Sequence, residues 1–255
     1  MPDTPDAANQ PTVRSVERAL DILEMLERSD GPLRLVDLSR GTELHAATVL
    51  RLVGVLQRRG FVQHDDSGEY RLGVAGLGMA HRYLQSDPLV VRSRPHLQEL
   101  ARTTGLTASL YARSGESRVL AARVDGRDPL RYQLPLGRRL PLLVGAGRTM
   151  LAFLPDDERE RVLGHAREFR TAGGEVVTPE LLRASVDGIR EAGFHISVSE
   201  RDVGVAAVSV PVLDREGAVV AAVSVLGPDE STTSEALRGW APELRRAAHA
   251  IALSL

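Results

Sequence analysis

The feature that most constrains this chain is a change of hydrophobic period inside its first quarter. From residue 13 to 59 apolar side chains recur every three or four positions, and from 60 to 72 they alternate every second position. The first spacing lines one face of a helix and the second lines one face of a strand. Three runs share the helical period. Residues 13 to 28 carry Val16, Leu20, Leu23 and Leu26 or Glu27, with Ile22 and Met25 widening the stripe, and Ser15 is the expected cap. Asp30-Gly31-Pro32 stops that helix, and a short second one is expected from about Leu35 to Arg40. After the turn Gly41-Thr42-Glu43, a third helix from about His45 to Arg59 puts Val49, Leu52, Val53 and Leu56 on one face, with Gly60 as its terminator. Gly60 to His64 then reads as a strand, Asp65-Asp66-Ser67-Gly68 as a hairpin turn, and Glu69 to Leu72 as the return strand. Three helices followed by a hairpin is the pattern of a winged helix-turn-helix.

The rest of the chain has a different rhythm. A helix at 74–85 is followed by Asp87-Pro88, which restarts a helix running to Thr103, before Gly105. Strands are expected at 106–112, 117–124, 130–135, 194–199, 205–213 and 218–226. Helices are expected at 147–154, 156–169, 179–192 and 234–253, with Thr178-Pro179 and a Thr232/Glu235 capping box as start signals. The expectation is an α+β chain whose second part is a largely antiparallel sheet with helices. The boundaries expected are a tail at 1–12, a winged helix-turn-helix domain at 13–73, a linker helix at 74–90 and a sheet-and-helix domain at 91–255.

Composition narrows the function classes. No apolar run reaches the roughly 18 residues of a membrane span, and Met1 to Pro11 lacks the basic start and apolar core of a signal peptide. With no cysteine, thiolate chemistry and Cys-held zinc are excluded, and a cytoplasmic location is expected. The seven His form no close metal pair, and no cofactor motif or nucleophile elbow is present. His195, Ser197 and Ser199 share a strand parity near Glu200 and Asp202, which reads as a polar ligand wall or a solvated face, with acid–base catalysis as the rival. A sensor module that no longer binds DNA is the second rival.

A net charge of −2 means that DNA binding cannot rest on bulk basicity. All 32 cationic residues are Arg, and between Val13 and Gly73 nine Arg face ten acids. Placement carries the argument. From Leu44 to His64 there are three Arg, two His and no acid. A recognition helix presents its first turns to base edges. Here those turns hold His45, small Ala46 and Ala47, Thr48 and Arg51. Arg suits guanine edges and phosphates, and Thr suits phosphate or a thymine methyl. Arg14, Arg34, Arg58, Arg59 and Arg71 are the expected phosphate contacts.

Six segments in order resemble one family. They are Ser15-Val16-Glu17-Arg18-Ala19-Leu20-Asp21-Ile22-Leu23, Thr48-Val49-Leu50-Arg51-Leu52, and Arg59-Gly60-Phe61-Val62 leading to Tyr70-Arg71-Leu72-Gly73. They continue with Gly147-Arg148 and Leu151-Ala152-Phe153-Leu154-Pro155, then Gly204-Val205 with Val210-Pro211-Val212, then Val223-Ser224-Val225-Leu226-Gly227-Pro228. Together they resemble the IclR family of bacterial transcriptional regulators over residues 13 to 255. The resemblance implies a winged helix-turn-helix, a linker helix and a GAF-like effector-binding domain. It also implies a homodimer or dimer of dimers on double-stranded operator DNA, a small organic acid as effector, and control, often repression, of a catabolic operon.

The resemblance places effector contacts at Leu134, Leu142, Val144, Gly145, Ala146, Ser197, Val205, Ala207, Ser224 and Leu226. Several of these depart from the family's polar pattern: Leu142-Leu143-Val144 where a His is frequent, Ala207 where a Cys is frequent, Ser197 at an acidic position, and Leu226 at a hydroxyl position. The expectation is a more apolar pocket for an aromatic or acyl-bearing acid, or else a pocket that binds nothing. Gly145-Ala146-Gly147-Arg148 opens a helix, so free backbone N–H groups are expected there for a carboxylate.

Overall fold

A computed structural model describes residues 13–127 and 134–255. The expected tail at 1–12 and most of the expected strand at 130–135 lie outside them. The chain divides into two compact units, with the boundary between Tyr83 and Leu84.

The first unit opens with α1 (Arg14–Arg28), β1 (Leu33–Arg34), α2 (Leu35–Gly41) and α3 (Ala46–Arg58). It closes with the hairpin β2 (Val62–His64) and β3 (Glu69–Leu72). β3 lies between β1 and β2, with Leu33 opposite Tyr70 and Val62 opposite Leu72. Ile22, Leu26, Leu38, Val49, Val53, Leu56, Val62 and Tyr70 bury together as its core. Gly60 sits at φ +74°, a left-handed conformation that lets the chain leave α3 and enter the hairpin.

Two expectations for α1 fail. Val13 stands at its N-cap position and no side chain caps it, so Ser15 lies inside the helix. The buried stripe is Ile22 and Leu26, while Val16 and Leu20 are more than half exposed. The apolar arc of α1 is wider than its buried face, and periodicity alone does not say which edge faces inward. β1 was too short to leave a period in the sequence.

The second unit follows α4 (Ala75–Ser86), which runs across the boundary. α5 (Pro88–Thr104) is capped by Asp87, whose side chain accepts from the Val90 amide, and ends at Gly105 at φ +72°. The strands are β4 (Thr107–Ser114), β5 (Ser117–Val124), β6 (Arg139–Pro141) and, after a short β7–β8 hairpin (Phe169–Arg170, Val176–Val177), β9 (His195–Val198), β10 (Val205–Leu213) and β11 (Val219–Pro228). The helices between and after them are α6 (Ala146–Ala152), α7 (Asp156–His165), α8 (Pro179–Ala192) and α9 (Ser234–Leu253). Six strands form one sheet in the order β6-β5-β4-β11-β10-β9, every pair antiparallel.

Strand alternation divides this sheet between two cores. Ala108, Leu110, Val208, Val210, Val223 and Val225 face α5 and α9. Tyr111, Leu120 and Ala222 face α6 and α8. Two further departures appear. α7 ends at His165 rather than 169, where Ala166 turns extended. α9 is capped by Thr233, which accepts from the Ala236 amide, while Thr232 is buried. No helix among the described residues is long and apolar enough to cross a membrane.

Candidate DNA interface and effector cavity

In the first unit, α3 buries Val49, Val53 and Leu56 and turns its other side outward. His45 is the exposed N-cap residue, followed by exposed Ala46 and Ala47, half-buried Thr48 and exposed Arg51. Leu50 is also exposed, beside Arg51, and adds apolar surface that the sequence reading did not single out. The expected phosphate contacts differ in their freedom. Arg71 pairs with Asp65 inside the wing, and Arg34 Nε lies 3.6 Å from Glu69. Arg14, Arg51, Arg58 and Arg59 are exposed and have no ion-pair partner among the described residues. Arg34 also serves the backbone, since its amide donates to Asp37 at the start of α2.

In the second unit, the α6-facing side of the sheet carries a polar row. Ser109, Ser224 and Ser209 lie opposite one another across β4, β11 and β10, and His195 of β9 continues the row. Ser209 and Ser224 share a 2.6 Å hydrogen bond between their hydroxyls. Beside this row is a partly open cavity of about 40 Å³. Seven of the ten expected effector residues line it: Gly145, Ala146, Ser197, Val205, Ala207, Ser224 and Leu226. Leu134 and Leu142 instead bury in the core between sheet and helices, and Val144 uses its carbonyl to accept from the Gly147 amide.

The remaining lining is Tyr111, Arg118, Glu200, Arg201, Asp202 and Ser209, so the cavity is as polar as it is apolar and carries four charged side chains, where a mainly apolar pocket was expected. The acid missing at position 197 is supplied three residues later by Glu200. Ser199 leaves the strand with φ +49°, its hydroxyl accepting from Gly204 and bonding Asp229, and this turn carries Glu200 inward. Glu200 Oε2 accepts from the Gly145 amide at 2.7 Å and Oε1 from His195 Nε2 at 2.9 Å, with Arg148 Nη1 3.3 Å from Oε1. Burial pushes the Glu200 carboxyl up, but His195, Arg148 and the Gly145 amide outweigh it and hold it below the usual carboxylate range. The backbone site expected to be free for a ligand carboxylate is therefore partly occupied by the protein's own. Gly145 donates to Glu200, and Gly147 and Arg148 donate to the turn itself.

Arg118, on β5, is almost completely buried. Its Nη1 donates to the Pro141 carbonyl and its guanidinium lies 5.3 Å from the Tyr111 ring centroid. Burial holds it down at about 10. The sequence reading missed Tyr111 and Arg118 because both come from strands whose place beside β10 and β11 no local pattern encodes.

A model of the IclR helix-turn-helix domain matches residues 15–66, and a model of the bacterial transcriptional regulator IclR C-terminal domain matches residues 81–253. The chain belongs to the IclR family. The IclR families are transcriptional regulators rather than enzymes, and this member has a DNA-binding helix-turn-helix followed by an effector domain. The HTH-type transcriptional repressor AllR of Klebsiella pneumoniae is 28% identical over 256 residues, covering 100% of this chain and 94% of AllR. The regulator XynR of Escherichia coli K12 is 28% identical over 247 residues, covering 96% and 98%. An IclR family regulator from Brucella abortus superposes with a TM-score of 0.82 at 25% identity, covering 100% of both chains.

Proposed function

We propose that this IclR protein is a ligand-responsive repressor of a catabolic operon. Residues 13–73 bind operator DNA, residues 74–90 transmit the signal and residues 91–255 hold the effector. It acts in the cytoplasm as a homodimer or dimer of dimers. The observation that carries the DNA half is α3. Its apolar face is used up in the core, and an acid-free outer face remains with His45, Ala47, Thr48, Leu50 and Arg51. Base edges would be read by Arg51 and Thr48, with Leu50 suited to a thymine methyl. Arg14 and Arg58 would hold phosphates, with Arg34 and Arg71 released from their acids to do the same.

The effector is an organic acid that enters the cavity beside Glu200. A volume of about 40 Å³ and four charged side chains in the lining favour a compact acid over an aromatic or acyl-bearing one. Its binding would favour one of two dimer arrangements that space the recognition helices differently. The test is an electrophoretic assay on DNA upstream of the protein's own gene at low salt. Retarded wild-type complexes that are lost on replacing Thr48 and Arg51 together by Ala are expected. Wild-type protein that retards none of this DNA would overturn the reading.

A further inference from the structure

We propose that Arg118 determines effector specificity, selecting a compact, singly charged anion such as a short monocarboxylate. The proposal rests on the reading of this cavity as the effector site. Arg118 is enclosed by a built pocket. Tyr111 covers one side, the Pro141 carbonyl takes Nη1, and the absence of a side chain at Gly147 leaves room for the guanidinium, since a Cβ there would collide with Nη1. Nε has no hydrogen-bond partner, and among the described residues no carboxylate forms an ion pair with Arg118.

The acids nearby are already engaged. Glu200 is saturated by Gly145, His195 and Arg148, and Asp202 pairs with Arg201 at 2.6 Å. One buried positive charge is left without an ion pair of its own, Glu200 acting on it only at longer range, an arrangement that folding alone disfavours. A ligand bringing one negative charge would complete it. A second negative charge would meet Glu200, a neutral ligand would leave Arg118 unpaired, and an amine would be repelled. The cavity has space on the order of three water molecules, which is less than a benzene ring requires.

Thermal unfolding of the full-length protein tests this with sodium acetate, acetamide and sodium succinate, ionic strength being matched with sodium chloride. Acetate should raise the midpoint saturably by several degrees, acetamide should leave it unmoved, and succinate should need at least about ten times the concentration. Arg118→Met should unfold at a higher midpoint than wild type without additive and gain nothing from acetate. Arg118→Gln serves if the first variant does not fold, and it should also gain nothing from acetate. Equal responses of wild type to acetate and acetamide, or an acetate response kept by both variants, would overturn the proposal. Operator binding by the wild type, measured in parallel, separates this outcome from failure of the functional reading.

Discussion

Glu200 Oε2 accepts a 2.7 Å hydrogen bond from the amide of Gly145, a residue 55 positions earlier in the chain. That bond ties the turn after β9 to the loop that opens α6, and it does so with a charge placed between His195 and Arg148. Replacing Glu200 by Gln keeps an acceptor of the same size but removes the charge. Arg148 then joins Arg118 as a buried guanidinium with no anion beside it. Breaking one partner of a buried pair typically costs about 3–5 kcal/mol. Urea unfolding of the Glu200→Gln variant should show a loss on that scale, and a loss under about 1 kcal/mol would mean that the carboxylate is not a structural anion.

The same group sets an acid limb. Its folded pKa lies below the ordinary value of 4.5, so ionised Glu200 supports folding fully above that value. The support fades as pH falls through the lowered folded pKa, because the unfolded chain then binds the proton more tightly. Wild-type stability should therefore drop more steeply than that of Glu200→Gln as pH falls below 4.5. Parallel slopes for the two proteins across that window would remove Glu200 from the account.

Ser209 and Ser224 make a self-contained pair on the α6 side of the sheet. Changing one to Ala leaves the other hydroxyl buried without its partner, at about 1–3 kcal/mol, whereas changing both should cost much less than the two single losses combined. A double-mutant cycle by denaturant unfolding measures this. Strict additivity would show that each hydroxyl has found a separate partner.

On α3, Arg51→Ala should weaken operator binding by about 1–3 kcal/mol and relax sequence preference. Arg58→Ala should weaken binding to all sequences and reduce the salt slope by about one. Both side chains are exposed and lack ion-pair partners among the described residues, so the unfolding midpoint should not change. Binding isotherms at several salt concentrations, with a calorimetric scan of each variant, separate the two roles.

Much of the architecture was legible because its signals are local. Asp87-Pro88 and Thr178-Pro179 start helices where cap chemistry says they should, and Asp214 to Gly217 turns β10 into β11. Two-residue strands such as β1 and β7 escape because a period needs more than two residues to appear. The cap of α9 fell one residue late, on Thr233 rather than Thr232, since adjacent threonines offer the same chemistry and only burial chooses between them. The cavity was half legible. Residues on β10, β11 and the α6 loop followed from motif and resemblance, and Glu200 and Asp202 stood out beside His195 as a polar wall or a solvated face, but Arg118 and the inward course of Glu200 did not. Glu200 arrives through the left-handed turn at Ser199, and Arg118 through a strand order set by long-range pairing.

The two-faced sheet has a consequence for how such a sensor can diversify. Along β10, Ala206, Val208 and Val210 answer to the core against α9, while Val205, Ala207 and Ser209 line the cavity. Neighbouring codons therefore lie under separate selection. A lineage can retune the metabolite it answers to by single replacements at every second position, while the intervening residues keep the sheet rigid enough for each trial to fold.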